Sequence, residues 1–209
     1  MPHVDDTTPR DDAMQVLDYW LGDALQRGWP SESRSALWFG GGPAQDESIT
    51  RRFATLVERA LEGDLTDWAD TPLGCLALVI LLDQFTRNMF RGQARAFSGD
   101  RRAQALVHGA LQKHWDLALP GAGAVFLYMP LMHAEDLALQ ELCVRSFEAL
   151  LQRAPADRHE ELKGNLRFAR QHRDIIEQFG RFPYRNAALG RPSSAQEEDF
   201  LREGPRFGQ

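Results

Sequence analysis

At 209 residues, with 43% hydrophobic and 26% charged side chains, the chain has a globular composition and enough apolar surface for one large core. Its formal net charge of −6 and isoelectric point near 5.5 argue against nucleic acid or an anionic membrane as the main partner, because phosphate binding needs a positive field. The longest apolar run, Cys75 to Leu82, falls far short of the roughly 20 residues that cross a bilayer and predicts a core helix instead.

In chain order, residues 1–11 carry acids and prolines without an apolar stretch, which predicts a disordered tail and no signal peptide. A first helix is expected from about Asp12 to Gly22, with Leu17, Leu21 and Leu25 on one stripe. Gly40, Gly41, Gly42 and Pro43 then break the chain before a helix over roughly Ala44 to Leu61, whose Ile49, Phe53, Leu56, Val57 and Ala60 share a face. Thr71 before Pro72 is a cap followed by proline at the first helical position, opening a helix that should run to about Arg91. Asp100 is read as the cap of a helix to about Trp115, and Pro120 to Gly123 as a separator before a long helix near Leu131 to Leu151. A further helix is expected over Ala156 to Phe179, ending at Gly180. After a loop rich in Arg, Asn, Gly and Pro, Ser194 and Glu197 have the spacing of a capping box opening a short last helix. Residues 12–203 therefore predict a single all-helical domain, followed by a tail over 204–209.

Cys75 and Cys143 each lie in an apolar segment, which predicts reduced core thiols and a cytoplasmic setting. The five tryptophans, spread through the helices, predict packing rather than a platform for bases. Of the 24 basic residues, only Lys113 and Lys163 are lysines, so nearly all cationic groups are planar guanidiniums suited to carboxylate or phosphate contacts.

Leu81 to Arg91 (LLDQFTRNMFR) aligns with Ile175 to Arg185 (IIEQFGRFPYR) at an offset of 94 residues, with matched chemistry at eight of eleven positions. Four of the eight are identities: Gln84/Gln178, Phe85/Phe179, Arg87/Arg181 and Arg91/Arg185. Each copy is an apolar helix delivering a carboxylate, an amide and an aromatic at its C-terminal turn, then two arginines. One reading is a duplicated helical unit. The other is two helix ends whose arginines complement the carbonyl ends of the helix dipoles.

The same residues resemble the bacterial domain-of-unknown-function 924 family, through Trp38-Phe39-Gly40, Asp67-Trp68-Ala69, Leu82-Asp83-Gln84-Phe85 with Arg87-Asn88, Phe90-Arg91-Gly92, His133 with Glu135-Asp136, and His172-Arg173 through Arg185-Asn186. The resemblance implies a tetratricopeptide-like right-handed stack of antiparallel helix pairs, and it brings no activity. This chain has Thr86 where the family pattern has proline, Tyr184 where it has histidine and Ala134 where it has serine.

Asp83 and Gln84 follow directly on apolar residues, which brings both to the edge of the core, where polar groups need partners that Arg87 or Arg181 can supply. An internal acid–arginine pair that fixes helix packing is the structural alternative. His172 shares a stripe with Ile175, Ile176 and Phe179 and is expected to point inward, either as a satisfied core histidine or as a proton-transfer group. His133, beside Glu135 and Asp136, is either part of a helix-start cluster or an acid–base group near neutral pH. No downstream P-C-x-x-C completes the His133-Ala134-Glu135 triplet as a zinc-deaminase site, and neither H-E-x-x-H nor G-x-S-x-G occurs. No metal and no cofactor are therefore expected.

Three functional readings follow. The leading one is a binding module in which Arg87, Arg91, Arg181 and Arg185, with Gln84, Asn88, Glu135 and Asn186, surround a small anionic ligand or a peptide carboxylate. The second is a hydrolase-type small-molecule enzyme in which His133 or His172, tuned by Asp83 or Glu135, moves a proton. In the third, the same residues are buried clusters that fix helix register, and function lies in an unmarked outer surface. Composition leaves the oligomeric state open.

Overall fold

A computed structural model describes residues 9–204; the expected tails over 1–11 and 204–209 fall largely outside the described residues. The first helix, α1, is Pro9–Leu21, beginning ahead of the predicted start. Helix α2, Pro43–Glu62, takes in the proline expected to precede it and ends at Gly63 in a left-handed conformation, with Ile49, Phe53, Val57 and Ala60 inward.

Helix α3 spans residues 72–89. The Thr71 hydroxyl accepts from the Gly74 amide, which caps its start. Its middle is apolar on every side, so it is buried all round, and over Ile80–Phe85 the coil widens to a π-type turn. Wide turns of this kind rotate the side chains that follow, and here they carry Asp83 and Gln84. Helix α4 is Asp100–Gln112. Asp100 makes no capping bond; it stands inside the first turn, and its carboxylate turns to arginines instead.

The separator expected at Pro120 to Gly123 is itself the start of a helix, α5, Gly121–Met132, which also contains Pro130. Side chains at Gly121 and Gly123 would run into the Trp29 ring and Leu76, so these glycines serve close packing rather than chain breaking. Helix α6 is Leu137–Arg153, capped by Asp136 through the Leu139 amide. The expected helix over Leu131 to Leu151 is thus interrupted, and His133, Ala134 and Glu135 lie in the joint. Helix α7, His159–Phe179, ends at left-handed Gly180, and α8, Ala195–Glu203, carries the predicted capping box in full.

All described elements are helical, and they share one main core. Helix α3 runs through its centre against α1, α2, α4 and α5, while α6 packs between α5 and α7. Ring contacts tie the layers together: Trp20 of α1 meets Phe85 at 5.5 Å and Phe126 at 5.4 Å, and Phe126 meets Trp38 at 5.0 Å. Edge-to-face pairs of this type contribute about 0.5–1.5 kcal/mol each beyond area burial. They also fix Trp38, which stands beside a cavity. A smaller apolar cluster of Ile175, Ile176 and Phe182 holds the C-terminal segment. Both cysteines are buried and free, and burial pushes the Cys75 thiol up to about 11. Among the described residues no helix is long and apolar enough to cross a membrane.

Candidate functional site

A cavity of about 380 Å³ opens between the C-terminal half of α3, the end of α5 and the middle of α7. Trp38, Phe39, Met129, Met132 and Phe168 give it apolar walls, and Gln84, Asn88, His133, Asn165 and His172 give it polar positions. Trp38 is held in place because its indole N–H donates to the Trp20 carbonyl at 2.8 Å.

Asp83 lies behind this lining and is fully buried. Its Oδ1 faces His133 Nδ1 at 2.8 Å and Arg87 Nη1 at 3.1 Å, and its Oδ2 accepts from Gln84 Nε2 at 2.6 Å. Burial alone would push this carboxyl up, but Arg87, His133 and Gln84 together outweigh it and hold Asp83 well below the usual carboxylate range. Burial, reinforced by Arg87 and Arg185, lowers His133 despite the pull of Asp83. Asp83 is therefore ionised and His133 neutral near pH 7. An ionised carboxylate can only accept, so His133 carries its proton on Nδ1 and keeps a lone pair on Nε2.

His172 is also buried, and its Nδ1 donates to the Phe168 carbonyl at 2.8 Å. Burial, followed by His133 and the nearby arginines, pushes this imidazole down to about 3. The unfolded chain binds the proton near pH 6.5, about the ordinary histidine value, whereas the folded chain does not. Stability is therefore complete above pH 6.5 and declines as pH falls toward 3. Between pH 6.5 and 5 the loss from His172 alone is expected to be about 2 kcal/mol, and His172→Gln should flatten that slope when urea unfolding is followed across the window.

Two of the four expected arginines, Arg87 and Arg185, meet, but on a shared carboxylate. Arg87 holds Asp100 through two bonds of 2.8 and 3.0 Å, and Arg185 reaches the same carboxylate at 3.3 Å. The Arg185 guanidinium is buried against the rings of Phe97 and Phe182, at 4.6 and 4.5 Å. The Nε atoms of both arginines are buried without a hydrogen-bond partner. At the cavity mouth Asp46 accepts from Asn88 Nδ2 at 2.8 Å and from Arg91 at 2.9 and 3.0 Å.

Of the residues expected from the sequence, Gln84, Arg87, Asn88, Arg91, His133 and His172 line the cavity. Arg181, Arg185, Asn186 and Glu135 do not. Arg181 pairs with Glu197 at 2.6 and 2.8 Å. Glu135 accepts from the Phe182 amide and from Arg191, while Asn186 bonds Ser193 and Arg191. The two copies of the aligned motif also differ in setting: Asp83 and Gln84 are buried, whereas Glu177 and Gln178 are exposed.

Sequence reasoning did not single out Met129, Met132, Asn165 or Phe168 as lining. Asn165, Phe168 and His172 recur at helical spacing on α7, a signal that could have found the first two.

These features define an all-helical, single-domain protein in which a buried aspartate–histidine pair borders a cavity of small-molecule size. The chain belongs to the bacterial family described as protein of unknown function (DUF924), whose model matches residues 16–205. It is similar to the solved structure of a protein of unknown function from Agrobacterium tumefaciens, with 32% identity, a TM-score of 0.76, and coverage of 94% of this chain and 100% of that one. No curated protein matches it.

Proposed function

We propose that the protein is a small-molecule enzyme in which His133 acts as a general base, oriented by Asp83. The observation that carries this reading is the 2.8 Å contact between His133 Nδ1 and Asp83 Oδ1. It fixes the tautomer and leaves Nε2 as the nitrogen available to the cavity. Proton uptake at Nε2, from substrate or from a water that attacks it, creates an imidazolium whose charge faces the Asp83 carboxylate. Arg87 keeps that carboxylate ionised. His172 stays neutral and serves as a positioning residue in the wall. A cavity of about 380 Å³ is within the range for a small ligand.

An anionic ligand is the weaker reading because each arginine at the cavity already faces a carboxylate: Arg87 has Asp100 and Asp83, and Arg91 has Asp46. The register-fixing reading has its own support in the Asp100 cluster, which braces the site from behind. For the fold, the sequential packing of α5, α6 and α7 agrees with the tetratricopeptide-like pairing that the family resemblance implies.

The test is a turnover screen over small esters, amides and lactones, run with His133→Gln alongside. On any substrate turned over, this variant should lose about 10²–10⁴-fold in rate while keeping its fold, the usual contribution of a positioned base. Rate should also fall in acid through a group titrating below the ordinary histidine value, because protonated His133 cannot accept. Turnover that survives His133→Gln would remove the reading.

A further inference from the structure

Several of the polar groups around the cavity share one bias. Gln84 turns its amide nitrogen toward Asp83, donating one N–H at 2.6 Å, and Asn88 likewise donates one N–H to Asp46 at 2.8 Å. Carboxylates only accept, so both amides are held in one orientation, and Oε1 of Gln84 and Oδ1 of Asn88 remain as the ends available to the cavity. His133 follows the same pattern, with Nδ1–H given to Asp83 and the Nε2 lone pair left over. Three donors in the wall are already engaged. The Trp38 indole N–H goes to the Trp20 carbonyl, and the His172 Nδ1–H goes to the Phe168 carbonyl. Arg87 divides its terminal nitrogens between Asp83 and Asp100.

Three acceptors, two from α3 and one from the joint after α5, thus converge on a space whose walls include Trp38, Phe39 and Phe168. We infer that the cavity selects an uncharged molecule with an aromatic or otherwise apolar body and an N–H- or O–H-bearing head, such as a primary amide or a phenol, with the head directed at Gln84, Asn88 and His133. A buried acceptor left without a donor is costly, so the head group rather than the body sets selectivity. A carboxylate head would place a fourth acceptor among three, beside arginines that are already paired. This inference rests on the small-molecule reading above and assigns it a ligand class.

Three isosteric probes differing only in the head provide the test: benzamide, acetophenone and benzoate, measured by ligand-observed NMR titration against the full-length protein. Benzamide offers two donors, acetophenone replaces them with a methyl group, and benzoate replaces them with charge. Benzamide should bind about tenfold or more tighter than acetophenone, the effect of one to two satisfied hydrogen bonds, with benzoate weakest. Phe168 is 46% exposed, so Phe168→Glu is expected to leave the fold intact and to abolish the benzamide signal if binding is in the cavity.

Equal binding of benzamide and acetophenone, preference for benzoate, failure of benzamide to bind, or indifference to Phe168→Glu would each overturn the inference. The general-base reading fails separately, through the His133→Gln turnover measurement. A preference for benzoate together with a turnover loss in His133→Gln would reject the ligand class and leave the base in place.

Discussion

Arg87→Ala is expected to destabilise the protein by about 3–5 kcal/mol in urea unfolding, the usual cost of removing one partner from a buried ion pair. Arg87 is nearly buried and bridges two carboxylates, Asp83 and Asp100, with side-chain exposures of 0% and 13%. Without it Asp100 keeps Arg185, but Asp83 keeps no formal cation and only the neutral imidazole and amide. Arg91→Ala should cost less than about 1 kcal/mol, because its pair with Asp46 is partly solvated, at 43% exposure for the arginine. This contrast separates the two roles the sequence allowed. A guanidinium kept for a ligand costs little to remove, whereas one that neutralises buried carboxylates costs a great deal. Equal midpoints for wild type and Arg87→Ala would show that the cluster contributes nothing to the fold.

The second large effect is on turnover. Asp83→Asn preserves volume but should reduce the rate by about 10²–10⁴-fold on any substrate that depends on His133. The reason lies in donor counting. The carboxylate accepts on Oδ1 from His133 and on Oδ2 from Gln84. An asparagine has one accepting end, so its amide N–H₂ must oppose either the Gln84 amide or the His133 N–H. One of the two turns away, and in either case the charge that stabilises the imidazolium is gone. A steady-state rate unchanged by Asp83→Asn would leave His133 without an orienting partner in the reaction.

Much of the helical plan was legible because its signals are local. Thr71-Pro72 at the start of α3, Gly180 after α7 and the Ser194/Glu197 capping box all act within a few residues. Helix α5 was not legible. Pro120 to Gly123 read as a separator, and only tertiary contact shows that Gly121 and Gly123 admit Trp29 and Leu76. The widened turn of α3 likewise has no sequence signature here.

For the site, the helical positions of Asp83, Gln84 and His172 pointed them toward the core, but not at what they would meet. Arg87 and Arg185 do come together, yet the deciding residue is Asp100, which in the sequence looks like a routine helix cap. Asp46, an ordinary acid in the first turn of α2, sets the orientation of Asn88 from 42 residues away. Such partners are long-range by nature, so charge type could be read from the sequence while charge balance could not.

The most direct measurement is a long-range nitrogen–proton NMR spectrum of the imidazole rings in the wild-type protein between pH 6 and 8. His133 is expected to be neutral throughout the upper part of this range, with its proton on Nδ1 and a bare Nε2, and Asp83→Asn is expected to disturb that tautomer. A His133 that is protonated on Nε2, or charged at pH 7, would contradict it.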